Sequence, residues 1–173
     1  MTFRRLKRKT LHRARVFTLD TETWRGPDGR TFERQTIVHP GAVAIVPFDE
    51  DGRILMIRQF RPAVERFLLE IPAGTREAGE SPLLCAKREL AEETGFAAES
   101  WRKLGAVYTA PGFCNEKILL YKAWDLYPKH AEQDEDEHIT PVALTPAQVK
   151  QAVRKGKICD AKTLSALLQL QWL

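Results

Sequence analysis

The stretch Arg88-Glu89-Leu90-Ala91-Glu92-Glu93-Thr94-Gly95 gathers three carboxylates within about one helical turn. Glu89 and Glu93 stand four residues apart and share a helix face, where like charges cost roughly 0.2–0.5 kcal/mol. They also lie near a helix C-terminus, on the unfavourable side of the macrodipole. An acidic helix end of this kind is either plain charged surface or a cluster whose repulsion a bound cation offsets. Hard divalent cations take oxygen ligands, and Mg²⁺ typically accepts one or two carboxylates and fills its shell with water and substrate phosphates. Carboxylates at i, i+3 and i+4 supply such a partial shell. The preceding run Glu70-Ile71-Pro72-Ala73-Gly74 can add a backbone carbonyl. Arg88, four residues before Glu92, can hold that carboxylate by an ion pair.

The helix that must carry this cluster has clear ends. Ser81 is a suitable N-cap, Pro82 suits the first helical position, and Gly95 suits the C-cap. Leu83, Ala86 and Leu90 form an apolar stripe at helical spacing. Around the helix the signals are mostly of strands. Residues 14–24 and 30–38 flank the turn cluster Gly26-Pro27-Asp28-Gly29 and read as a hairpin. Residues 41–48 and 53–60 bracket Asp49-Glu50-Asp51-Gly52 and read as a second hairpin. Further strands are expected at 66–72, 101–109, 117–125 and 138–144. A helix opening at Thr145-Pro146 should end at Gly156, and a last one starts at Asp160 or Thr163. This order predicts an α+β or mixed-sheet sandwich. The first 38 residues form a candidate antiparallel β subdomain, with 39–173 as the main domain.

The chain has 173 residues, 43% apolar and 29% charged, which suits one soluble globular unit with a real core. No apolar run approaches the roughly 20 residues of a membrane span. The three cysteines, Cys85, Cys114 and Cys159, are widely spaced and odd in number. That argues against a disulfide framework or a cysteine zinc site, and a reducing cytoplasm is the expected compartment. The net charge of +4 owes much to Arg4, Arg5, Lys7, Arg8, Lys9, Arg13 and Arg15. Such a terminus is either a solvated segment or an arm for nucleic acid, and it has no aromatic stacking platform beside it.

Taken together, Gly74, Glu80 and the segment Arg88–Phe96 match the Nudix box GX5EX7REUXEEXGU at every fixed position. The chain therefore resembles the Nudix hydrolases. The resemblance implies an α/β/α sandwich and Mg²⁺- or Mn²⁺-dependent hydrolysis of a nucleoside diphosphate linked to another moiety. By position, Glu89 and Glu93 resemble the main metal ligands, Glu92 a further ligand, and the Ala73 carbonyl the backbone ligand. Arg88 and Glu80 resemble the braces of the loop–helix–loop, and Gly74 would permit its sharp turn.

Outside the box, Pro111 lies fifteen residues after Phe96, a spacing that resembles the ADP-ribose pyrophosphatase subgroup. Arg58-Gln59-Phe60-Arg61-Pro62, Glu70–Gly74 and Gly112-Phe113-Cys114-Asn115-Glu116 resemble it as well. The subgroup implies ADP-ribose as substrate, AMP and ribose 5-phosphate as products, and a homodimer built through the N-terminal strands. It also implies a loop glutamate as general base, for which Glu135 best matches and Glu137 is the alternative. As plain sequence, residues 132–138 are equally an acidic surface loop. Arg61, or else Arg58, is a candidate diphosphate clamp, since a guanidinium fork suits phosphate oxygens. Pro111, Phe113 and Glu116 are candidate substrate contacts. Trp24 and Phe32 are either core aromatics or a stacking surface for adenine, and His39 reads as a turn residue. Two other readings remain: a pyrophosphatase for another nucleotide sugar or dinucleotide, and a non-catalytic nucleotide-binding module.

Overall fold

The computed structural model describes residues 2–132 and 138–171. The chain forms two compact units, residues 1–41 with 108–117, and residues 42–107 with 118–173.

The first unit is an antiparallel sheet of β1 (Arg4–Arg13), β2 (Thr18–Arg25) and β3 (Thr31–Val38), in that order. The β2–β3 hairpin forms as expected across its glycine-rich turn. Gly29 takes φ +81° there, and Gly26 N–H donates to Arg30 O at 2.8 Å. The basic terminus is exposed along nearly its whole length, yet it is regular structure rather than loose chain. It is strand β1, held by two buried carboxylates of β2. Arg5 Nη1 donates to Glu22 at 2.8 Å, and Arg8 pairs with Asp20. Burial alone would raise the Asp20 carboxyl, but hydrogen bonds from Arg8, Thr10 and Thr18 outweigh it and hold it below its usual range. The 108–117 segment extends the sheet on the β3 side. Ile37 N–H donates to Phe113 O at 2.8 Å, and Asn115 N–H to Ile37 O at 3.1 Å.

The second unit contains β4 (Ala42–Pro47), β5 (Ile54–Arg61), β6 (Arg66–Glu70), β7 (Ala73–Thr75), α1 (Pro82–Thr94), β8 (Phe96–Tyr108), β9 (Lys117–Pro128), β10 (Ile139–Leu144), α2 (Pro146–Arg154) and α3 (Ala161–Gln169). One sheet runs β7-β4-β9-β8, with β4 antiparallel to β7 and parallel to β9; the other runs β10-β5-β6 and is antiparallel. Every residue of β4 is buried. Val43 and Ile45 pack with Cys85, Ala86 and Leu90 of α1. On the other face Ala42, Ala44 and Val46 pack with β5, α2 and α3 through Met56, Val149, Ala152, Ala166 and Leu167. A mixed sheet with helices on both faces results.

The expected hairpin of 41–48 with 53–60 does not form. Its turn is present, with Gly52 N–H donating to Asp49 O at 3.0 Å and one bridge between Phe48 and Ile54. Beyond that bridge β4 and β5 part into different sheets. An apolar run without alternation marks a strand covered on both faces, and each of these runs finds two other edge partners. The expected strand 66–72 is likewise split. β6 ends at Glu70, and the chain crosses at Ile71-Pro72 to enter the other sheet as β7. Among the described residues no helix is long and apolar enough to cross a membrane.

Candidate active site

Helix α1 begins and ends where the sequence indicates. Ser81 Oγ accepts from Leu84 N–H at 3.3 Å. Gly95 takes φ +74°, and its N–H closes onto Ala91 O at 2.9 Å. Docking the Cys85/Ala86/Leu90 stripe on β4 turns Glu89 and Glu93 inward, at 8% and 2% exposure, while Glu92 stays half-buried. Burying carboxylates is unfavourable unless each finds partners, and here they do.

Glu93 Oε2 accepts the Ala73 N–H at 2.8 Å, joining the end of the helix to the start of β7. Glu89 lies against Gly74 so closely that a Cβ there would sit 1.9 Å from the carboxyl carbon and 2.0 and 2.3 Å from its oxygens. Arg88 braces the rest. Its Nε and Nη2 fork onto Glu80 at 3.0 and 3.1 Å, and Nη2 also donates to Thr75 O at 3.3 Å. Its Nη1 donates to Glu92 at 2.9 Å and stands 2.7 Å from Glu89 Oε1. The Arg88 hydrogen bond pulls the Glu80 carboxyl down to about 2, and Glu80 in turn raises Arg88 above its usual range. Burial, with Glu80 and Glu89 beside it, pushes the Cys85 thiol up to about 12 and keeps it an unreactive core residue.

These oxygen donors have the hard chemistry that a divalent ion of the Mg²⁺ type needs, and the space Gly74 leaves is filled by one of them. Among the described residues no three His, Cys, Asp or Glu side chains already converge as a cage. The positive charge between Glu89 and Glu92 is that of Arg88.

Among the described residues, the remaining sequence candidates divide between the two units. Arg61 and Arg58 are three residues apart on β5, so they point to opposite faces. Arg61 forks onto the buried Glu70, with Nε at 3.1 and 3.2 Å from the two oxygens and Nη2 at 2.6 Å. Arg58 instead stacks over Phe67, its guanidinium carbon 3.9 Å from the ring centroid. It lines a separate cleft of about 480 Å³ with Arg66 and Lys157. In the first unit, Pro111 and Phe113 line a cleft of about 460 Å³ together with Trp24, Phe32 and Arg34. Trp24 and Phe32 therefore face a cavity rather than a closed core, and the Trp24 indole is fixed by donation to Glu22 at 3.2 Å. Glu116 accepts from Thr109 Oγ1 at 2.7 Å and stands 3.7 Å from His39 Nδ1. Glu135 and Glu137 lie outside the described residues.

Sequence reasoning used Glu70 only as part of a motif and left Lys162 aside. Glu70 is 1% exposed and takes cations from two directions, Arg61 of β5 and Lys162 of α3. Burial would raise its carboxyl, and those two partners lower it. The only sequence signal was a buried-strand position that is acidic.

The characteristic pattern of the NUDIX domain matches residues 38–167, and the chain belongs to the Nudix hydrolase family. Members of that family are generally dependent on divalent metal. The chain is similar to the ADP-ribose pyrophosphatase of Bacillus subtilis (strain 168), at 38% identity over 96% of this chain and 94% of that protein. It is equally similar, at 38%, to the methanol dehydrogenase activator of Bacillus methanolicus, over 96% of this chain and 91% of the other. A crystal structure of an ADP compounds hydrolase shares the fold with a TM-score of 0.87 at 29% identity, covering 99% of this chain and 93% of that one.

Proposed function

We propose that this Nudix hydrolase cleaves the diphosphate of ADP-ribose, giving AMP and ribose 5-phosphate, with Mg²⁺ or Mn²⁺ as cofactor. The observation that carries the reading is the convergence of Glu89, Glu93, Ala73 and Gly74 at one end of α1. The similarity to an ADP-ribose pyrophosphatase supports the substrate. Glu89, Glu93, Glu92 and the Ala73 carbonyl would hold the metal. When bound, the metal lowers the pKa of the attacking water and offsets charge developing on the diphosphate.

This chain's own residues do the rest. Arg88 and Glu80 fix the helix against its entry loop, so Glu89 and Glu92 stay aligned when their charge is drawn away from Arg88. Arg61, held by Glu70, presents a guanidinium edge to the diphosphate. Glu135, with Glu137 as the alternative, takes the proton from the attacking water. Trp24 and Phe32 offer faces on which adenine stacks, beside Pro111 and Phe113. A homodimer fits the apolar side chains that the first unit exposes, Phe3, Leu6, Leu11 and Phe17. The expected compartment is the cytoplasm.

A hydrolysis panel of ADP-ribose, nucleotide sugars, dinucleotides and nucleoside triphosphates with Mg²⁺, with products identified, tests the reading. AMP and ribose 5-phosphate from a preferred ADP-ribose are expected. A preference for triphosphates would overturn the substrate assignment.

A further inference from the structure

The segment Glu70–Ala73 carries the backbone carbonyl assigned above to the metal, and it is tied down at every residue. The Glu70 carboxylate is held by Arg61 and Lys162. Ile71 N–H donates to Thr163 Oγ1 at 3.1 Å. Pro72 O accepts from Ile45 N–H at 2.8 Å. Ala73 N–H donates to Glu93 at 2.8 Å.

Proline has no N–H, so the segment Ile71–Ala73 has only two backbone donors. One is given to Glu93, whose carboxylate must also serve the cation. The other goes to Thr163, in the first turn of α3 and 92 residues away in sequence. Thr163 is fully buried, as is Ile71, and nothing in its position is needed to cap its own helix. Asp160 does that, accepting from Thr163 N–H at 3.0 Å. The hydroxyl thus anchors the backbone amide of Ile71, and it does so without depending on the metal ligands.

We infer that Thr163 is a positioning residue for metal binding: its hydroxyl, through the Ile71 amide, sets where the Ala73 carbonyl stands before the cation arrives. The inference rests on the assignment of Ala73 and Glu93 to the metal. Groups that orient metal ligands from behind typically govern affinity by 10–100-fold. Lys162 in the same turn holds Glu70, so the start of α3 fixes the Glu70–Ile71 end of the segment.

The test is Mn²⁺ titration followed by electron paramagnetic resonance, on the full chain at a temperature where circular dichroism shows each variant folded. Thr163→Val keeps the shape, removes the acceptor and is expected to weaken Mn²⁺ about tenfold, whereas Thr163→Ser should bind like the parent. Should valine not be accommodated, Thr163→Ala makes the same cut with less bulk. Unchanged affinity in the folded Val or Ala variant would overturn the inference. So would a Ser variant as weak as Val, since the methyl group would then be the cause. Glu93→Gln is the separate control: if it binds Mn²⁺ like the parent, the metal assignment itself fails.

Discussion

The carboxylate of Glu89 occupies the space that a side chain on Gly74 would need, the missing Cβ lying within 2.0 Å of one of its oxygens. At position 74 glycine leaves room for the Glu89 carboxylate, while its φ lies outside the left-handed region that favours glycine. Gly74→Ala should therefore displace Glu89 while leaving the core intact. Misplacement by about 1 Å can cost on the order of 10²-fold in rate, and a loss of that size in kcat for ADP-ribose is expected. A folded Gly74→Ala enzyme with kcat within twofold of the parent would show that Glu89 has room elsewhere.

Glu93 holds the Ala73 amide, and in the proposed function it would also offer an oxygen to the cation. Glu93→Gln can keep the first through its amide oxygen and loses the negative charge needed for the second. Turnover should fall by more than about 100-fold, beyond what loss of an outer-shell partner costs, with the far-ultraviolet spectrum unchanged. Near-normal Mg²⁺-dependent activity would remove Glu93 from the ligand set.

Glu80 connects the box to pH. Its carboxyl is held at about 2 by Arg88, against an ordinary value of 4.5. A depressed folded-state value means that the unfolded chain binds the proton first as pH falls. The contribution is complete above about pH 4.5 and is lost progressively down to about pH 2. Urea unfolding at pH 5 and pH 3 should show the parent losing on the order of 1–2 kcal/mol more than Glu80→Gln across that interval, less than the full shift because the pair remains partly hydrated. Equal losses in both proteins would mean that the Arg88–Glu80 fork adds nothing to stability.

How much of this could be read in advance follows from how local each feature is. The box was legible because Gly74, Glu80 and Arg88–Gly95 lie within one loop and one helix, with Ser81 and Gly95 marking the helix ends. Strand β1 was not, because its stability comes from Asp20 and Glu22 on a neighbouring strand rather than from any apolar pattern of its own. The parting of β4 and β5 depends on which distant strands claim their edges, and a tight turn between them says nothing about that. The Thr163–Ile71 bond joins residues 92 apart, with no spacing that could announce it.

Glu70 makes Arg61 structural as well as a candidate clamp. Removing one partner of a buried pair typically costs 3–5 kcal/mol. Lys162 still compensates Glu70, so Arg61→Met should lose about 2–3 kcal/mol in chemical denaturation and also show a raised KM for ADP-ribose. A destabilised variant with unchanged KM would leave Arg61 a purely structural partner of Glu70.

Arg58 separates the two effects, because strand geometry puts it on the face of β5 opposite Arg61. Its guanidinium lies over Phe67 and makes no ion pair with Glu70. Arg58→Met keeps an unbranched apolar cover on that ring, so stability should change by no more than about 0.5 kcal/mol, as for surface substitutions away from buried networks. Its kcat/KM for ADP-ribose should stay within about threefold of the parent, while Arg61→Met falls well below that range. The comparison works because both substitutions remove the same charge from the same strand, and only the face differs. If the two variants lost kcat/KM equally, the diphosphate would be answering to the net charge of β5 rather than to the guanidinium that Glu70 orients.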